Sequence, residues 1–330
     1  MTEFHLLLVG YGNVARRFET LLAGQRPSLA RIVGIATRHH GCTLDGRAVA
    51  RPTTLAFLRD ALKHSAAAAK RGRLVVVETT TLDIARGEPA TSHIRAALGG
   101  GAHVITTNKG PVAFAYRALA RAAERADRRF LFEGTVMDGV PIFNLVRETL
   151  PAVRILGFRG VVNSTTNFIL TAMEQGQRFD AALAEMQARG VAEADPSLDV
   201  EGWDAAAKTA ALANVLLGAN ITPNDVDRQG IGAQIGPRAR EARATGRRLK
   251  LVARAERDGR RITARVSPEE LRGDDLLAGL EGQQNALILK TDVLEEFAVV
   301  QRSGSLTQTA YALLSDLISI ERSLSATARR

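Results

Sequence analysis

Cysteine is almost missing from this sequence: Cys42 stands alone among 330 residues. No internal disulfide can therefore form, and no thiolate cluster for a metal can be assembled. A reducing cytoplasm is the compartment this fits. Aromatic residues are sparse too, at 5% of the chain, and the basic stretches hold almost none of the stacking platforms that single-stranded nucleic acid requires. No apolar run approaches the ~18–20 residues of a membrane helix, and the first ten residues lack the pattern of basic leader, apolar stretch and small-residue cleavage site. A soluble protein with neither membrane nor nucleic acid as partner is expected.

Positive charge is what the chain has in excess, at a formal +9. Its densest basic stretch, Arg238 to Arg265, is interleaved with Glu241, Glu256 and Asp258, which marks a solvated surface rather than a phosphate-binding groove. Within it Arg238–Arg248 reads as a loop. A positive field still attracts anionic cofactors and substrates.

At this length two compact units are expected. The opening run Phe4–Val9 stops at glycines and is followed by a helical segment from Asn13 to about Ala23 and a second apolar run, Ile32–Ala36, which together read as a βαβ unit. Further strand-like runs at Leu74–Val77, His103–Thr106 and Phe130–Phe132 alternate with helical segments near Ala90–Leu98 and Val112–Ala126, so an α/β fold with a doubly wound parallel sheet of Rossmann type is expected over residues 1–140. Residues 141–304 read as a second, α+β domain for catalysis and dimerisation, mainly helical from Thr166 to Leu217, with strand-like runs at Ile155–Val162, Arg261–Val266, Ala286–Lys290 and Phe297–Val300. Residues 305–330 read as a terminal amphipathic helix that packs back on the first domain.

Between the first strand and the first helix lies Gly10-Tyr11-Gly12-Asn13-Val14-Ala15, the G-x-G-x-x-A form of the dinucleotide fingerprint. Gly10 permits the tight turn, Gly12 lets the backbone approach a pyrophosphate, and Ala15 keeps the helix close to the sheet. The uncapped N–H groups at Asn13 and Val14 supply the anion site. Where the second strand ends, an acidic residue would select NAD through the ribose 2′-hydroxyl; the sequence has Thr37-Arg38-His39-His40 instead. Arg38 therefore points to NADP, with NAD as the alternative. His39 and His40 have no further ligand at metal spacing and read as loop residues. Thr79 and Thr80, directly after a strand, are placed beside the cofactor.

Four later segments complete the pattern. They are Thr107-Asn108-Lys109-Gly110-Pro111, Glu133-Gly134-Thr135-Val136-Met137-Asp138-Gly139-Val140-Pro141, Asn163-Ser164-Thr165-Thr166-Asn167-Phe168-Ile169-Leu170 and the long acidic stretch Glu193 to Lys208. In the last of these, Asp204 and Lys208 fall at i and i+4, on one face of a helix and within reach of a charge-assisted pair. With the fingerprint, and in this order, the segments resemble those of homoserine dehydrogenases. That resemblance implies hydride transfer between a nicotinamide cofactor and an amino-acid aldehyde or alcohol, with aspartate 4-semialdehyde and homoserine as the pair. It places Lys109, Lys208 and Asp204 at the reacting centre, either lysine being able to handle the proton of the carbonyl oxygen. Glu193 and Asp199 are implied as acceptors for the substrate ammonium, with Asn163 and Thr165 in the same substrate loop. Lys109 and Gly304 are also implied to lie near the cofactor, and Glu133, Val136, Asp138 and Val140 to form a loop for sodium or potassium. A homodimer without an appended regulatory domain is expected.

Two departures stand beside the match. The stretch Gln301-Arg302-Ser303-Gly304-Ser305-Leu306 holds one glycine where the family has several, and Ser164 stands where glycine is usual. They leave open a paralogous oxidoreductase for another amino-acid aldehyde. A nucleotide-binding sensor without turnover is the reading from another class; Lys109, Asp204 and Lys208 together argue against it.

Overall fold

The apolar run Phe4–Val9 forms β1, and its glycine stop turns the chain into α1 (Asn13–Gln25) and back along β2 (Ala30–Ala36). This is the computed structural model of the chain, which describes residues 3–38, 41–50, 53–189 and 195–327. It separates into two compact units, one of Met1–Asn144 with Ser305–Arg330 and one of Leu145–Gly304.

In the first unit β2 is followed by β3 (Cys42–Leu44), β4 (Arg47–Val49), α2 (Thr54–His64), α3 (Ala66–Lys70), β5 (Leu74–Glu78), α4 (Ala90–Gly99), β6 (His103–Thr106), α5 (Lys109–Ala126) and β7 (Phe130–Leu131). The seven strands lie in the order β4-β3-β2-β1-β5-β6-β7. The five strands from β2 to β7 are parallel. At the other edge β3 and β4 add an antiparallel hairpin, too short to register in the sequence pattern. Every residue of β5 and β6 is buried, as expected of strands covered on both faces. The terminal helix (Leu306–Thr327) belongs to this unit, where Ala310, Leu313, Leu314, Leu317 and Ile320 share a core with Phe4, Leu6, Leu8, Phe18 and Val77. Each large aliphatic side chain buried there stabilises the unit by roughly 1.5–3 kcal/mol.

The chain leaves the first unit along α6 (Phe143–Thr149) and enters β8 (Ile155–Val161). The second unit continues with α7 (Ser164–Glu174), α8 (Phe179–Ala188), α9 (Ser197–Val200), α10 (Trp203–Leu216), β9 (Asp227–Arg228), α11 (Gly236–Ala244), β10 (Arg247–Asp258), β11 (Arg261–Arg272), β12 (Asn285–Thr291) and β13 (Glu296–Gln301). Its sheet, β13-β12-β8-β10-β11-β9, is mixed: all pairings are antiparallel except that of β9 with β11. Helices α7, α10 and α11 pack on β10. The run of alanines in α10, from Ala205 to Ala213, is buried almost completely, because a side chain of one carbon lets the helix lie close to the strands.

The basic stretch is corrected here. Arg238–Arg248 is not a loop but most of α11 and the start of β10. The arginines at its two ends are paired within the unit, Arg248 with Glu174 at 2.6 Å and Arg238 with Glu270 at 2.6 Å. Among the described residues no helix is long and apolar enough to cross a membrane.

Candidate active site

The first unit builds a phosphate-cradling turn from backbone alone. Gly10 has φ +89, and a Cβ added there would stand 2.7 Å from the Thr79 carbonyl oxygen and 2.9 Å from the Thr80 nitrogen. Only glycine fits such a position. Thr79 closes the contact from the other side, its amide donating to the Val9 carbonyl at 2.8 Å and its hydroxyl to the Gly10 carbonyl at 3.1 Å. Gly12, by contrast, faces open space, with nothing within 4 Å of an added Cβ. It is the N-cap of α1, which has no side-chain cap and no acidic residue in its first turn. Asn13 is exposed, Val14 half-buried and Ala15 fully buried against the sheet. Unpaired helix-start N–H groups facing an open, glycine-lined surface are the donor set a pyrophosphate needs, so these residues fit a dinucleotide.

Arg38 follows the end of β2 and is exposed. Thr37 before it is fixed by two bonds to the Gly41 carbonyl, from its amide at 3.0 Å and its hydroxyl at 2.9 Å. His39 and His40 lie outside the described residues. Lys109 is the half-buried first residue of α5. Asn108, to which the sequence reading gave no role, is buried and caps that helix: its side-chain oxygen accepts the Gly110 N–H at 3.0 Å. An asparagine directly before a helical run was the available signal.

The loop expected to hold sodium or potassium makes bonds of its own. The carboxylate of Glu133 accepts the backbone N–H groups of Ile142, Phe143 and Asn144 at 2.6, 3.0 and 2.5 Å, so it caps α6. Asp138 is likewise engaged, accepting from Thr309 at 2.8 Å, and Val136 and Val140 have only carbonyl oxygens to offer. No group of three His, Cys, Asp or Glu suited to a metal occurs among the described residues.

The second unit gathers a polar cluster from three distant stretches. Asn163, buried at the N-cap of α7, spends its side-chain oxygen on the Thr166 amide at 2.8 Å. That fixes its amide nitrogen, which donates to Asp199 at 2.7 Å and to Asp204 at 2.9 Å. Asp204 pairs with Lys208 at 2.9 Å, both side chains 14% exposed. The Lys208 ammonium also donates to the Val162 carbonyl at 2.6 Å. Among the described residues two of its three N–H bonds are thus used.

Burial pushes the Asp199 carboxyl above the usual aspartate range, and the charge of Asp204 adds to the push; hydrogen bonds from Asn163 and Thr165 and the charge of Lys208 act against it. Asn163, Thr165, Asp199, Asp204 and Lys208 are therefore one constellation. Glu193 lies outside the described residues, and Gly304 is exposed at the end of this unit. The Val162 carbonyl was not legible in the sequence, since any residue type supplies a carbonyl.

The chain is similar to known proteins over both units. Residues 10–133 match the family model of the homoserine dehydrogenase NAD-binding domain, and residues 141–318 match that of homoserine dehydrogenase. An NAD(+)-dependent homoserine dehydrogenase of Pseudomonas canavaninivorans is 38% identical, over 98% of this chain and 97% of its own. A homoserine dehydrogenase of Sulfurisphaera tokodaii is 37% identical, over 96% and 98%. The crystal structure of a homoserine dehydrogenase from Thiobacillus denitrificans superposes with a TM-score of 0.81 at 30% identity, covering 99% of this chain and 75% of that one.

Proposed function

Because this chain belongs to the homoserine dehydrogenase family, we propose that it interconverts L-homoserine and L-aspartate 4-semialdehyde, with NADP as the preferred cofactor. The observation that supports this reading is the cluster in which Asn163 bonds both Asp199 and Asp204 while Asp204 pairs with Lys208. A nicotinamide cofactor, when bound, supplies or takes up the hydride.

The chain's own residues handle charge and proton. Lys208, held by Asp204 and the Val162 carbonyl, directs its remaining N–H toward the substrate oxygen and gives up a proton there in reduction. Asp199, aimed by Asn163 and Thr165, accepts from the substrate ammonium. Lys109, through its place in the Thr107–Pro111 motif, is the second candidate for the same proton. NADP is favoured by an exposed Arg38 with no carboxylate in the Thr37–His40 stretch. The relative from Pseudomonas canavaninivorans is NAD(+)-dependent, so both cofactors belong in the test.

Homoserine is mixed with protein and either oxidised cofactor, and the absorbance of the reduced nicotinamide is followed. Turnover is expected with both cofactors and faster with NADP, and Lys208→Ala is expected to lower kcat by about 10²-fold or more. Arg38→Ala should narrow the preference for NADP. A wild type silent with both cofactors sinks the homoserine assignment; faster turnover with NAD sinks the cofactor reading alone. Turnover with another amino-acid alcohol in place of homoserine would point to a paralogous oxidoreductase.

A further inference from the structure

We propose that Glu78 is a positioning residue of this enzyme, a fully buried carboxylate that fixes the strand-end loop of Thr80 and the helix start of Lys109 as one piece. The inference rests on the reading of the Thr79–Thr80 loop and Lys109 as parts of the reacting end of the site.

Glu78 is the last residue of β5 and is 0% exposed. A carboxylate in such a place is costly unless its lone pairs are met, and an apolar residue would continue the run Leu74–Val77 without that cost. Its oxygens are met from the loop after β5 and from the last residue of β6. One accepts the Thr80 amide at 3.2 Å and the Thr80 hydroxyl; the other accepts the Thr106 hydroxyl at 3.2 Å. That hydroxyl also reaches the Glu78 carbonyl at 2.8 Å, and its oxygen accepts the Asn108 amide at 3.0 Å. Asn108 then closes the ring, donating from its side chain to the Thr80 carbonyl at 3.1 Å while capping α5.

The ring Glu78, Thr80, Asn108, Thr106 thus joins the ends of β5 and β6. Thr79, between two of its members, bonds to Gly10, and Lys109 follows a third. The carboxyl ends of parallel strands are where open α/β sheets place their ligands. Charge matters as well as shape. The carboxylate accepts from all three groups that meet it, whereas an amide keeps one accepting oxygen and brings two N–H donors into the same buried ring, of which the Thr106 hydroxyl can accept one. Behind the carboxylate lies the buried Nδ1 of His93, 3.7 Å from it and without a hydrogen-bond partner among the described residues.

The test compares wild type, Glu78→Gln, Thr106→Val and the double variant. Measured are kcat, KM for homoserine, cofactor affinity by calorimetry, melting temperature, and amide hydrogen exchange of the 79–81 and 107–110 segments. Glu78→Gln should lower kcat about ten- to a hundredfold, the scale of a misplacement of about 1 Å, with KM and cofactor affinity changed much less. Exchange in both segments should quicken, and the double variant should be no slower than the slower single one, because both substitutions open the same ring.

A kcat for Glu78→Gln within about twofold of wild type overturns the proposal. So do losses that multiply in the double variant, or unchanged exchange. If Glu78→Gln does not fold, Thr106→Val carries the same expectation by itself. A wild type that oxidises no homoserine would sink the functional reading but leave the exchange measurement to decide the role of Glu78.

Discussion

Asp199 occupies a place where its own charge is disfavoured. Burial and the neighbouring Asp204 both raise its pKa, so the folded protein holds its ionised form at a cost that the unfolded chain does not bear. A carboxylate with a raised folded pKa leaves stability undiminished below the ordinary aspartate range and lowers it as pH rises through the folded value. Asp199→Asn keeps an oxygen to accept from Asn163 and removes the charge. It should therefore stabilise the second unit at neutral pH by about 0.5–1 kcal/mol, with the gain vanishing as pH falls into the ordinary aspartate range. KM for homoserine should rise about tenfold or more, because a charge-assisted bond to the substrate ammonium is lost. Denaturant melts at neutral and acid pH together with steady-state kinetics check both halves. A variant less stable than wild type at neutral pH would show that the carboxylate is held there by attraction, and would remove the argument for its strained charge.

The turn that carries this acid is held by an element without a functional side chain of its own. Gly202, in the left-handed region at φ +81, separates α9 from α10, and the segment after β9 presses on the turn from outside. A Cβ at Gly230 would lie 2.4 Å from the Val200 carbonyl oxygen and 2.5 Å from the Glu201 Cα. Ile231 donates to that same carbonyl at 2.7 Å, and the Arg228 guanidinium stacks on Trp203 at 3.7 Å. Gly230→Ala should push the turn back and move Asp199 and Asp204 off Asn163. The expected result is a fall in kcat/KM of about tenfold or more, with a loss of about 1–3 kcal/mol in stability; wild-type kinetics in this variant would show that the turn yields without moving the carboxylates. What could be foreseen here, and what could not, follows from range in sequence. The strands β1, β5 and β6 are apolar runs bounded by turn residues, and the Asp204–Lys208 pair is a matter of helical spacing, so both were legible. Asn163 reaches Asp199 and Asp204 across 36 and 41 positions, and no local pattern announces such a clamp. For the same reason β10 read as a solvated basic stretch: Arg248 and Arg254 find Glu174 and Glu269 only once the unit has folded. The capping role of the Glu133 carboxylate was not legible either, because its partners are three backbone N–H groups at the start of α6, which any residue type but proline supplies.

For the molecule as a whole, stability should rise with pH on the alkaline side, for two reasons that can be separated. The chain carries a formal +9 at neutral pH, so loss of protons relieves repulsion among its surface charges. The second reason is local. Lys250 on β10 is 0% exposed, donating to Asn167 at 3.0 Å and to the Leu280 carbonyl. Burial lowers its pKa from the ordinary 10.5 to about 8, with Arg248 adding to the effect and Glu174 and Glu281 opposing it. Between these values the unfolded chain binds a proton that the folded one has released, and stability climbs with pH wherever that holds. Lys250→Met keeps the length of the side chain and removes the titration, while leaving the surface charges as they are. The lone Trp203 lies in the second unit, so its fluorescence follows that unit during denaturant unfolding even if the two units melt separately. Between about pH 7 and about pH 10 the stability of wild type relative to Lys250→Met should increase by about 1–3 kcal/mol, whereas general charge relief would move both proteins in parallel. Parallel curves would mean that Lys250 keeps its ordinary affinity for the proton despite its burial, and the alkaline gain would then belong to the surface alone.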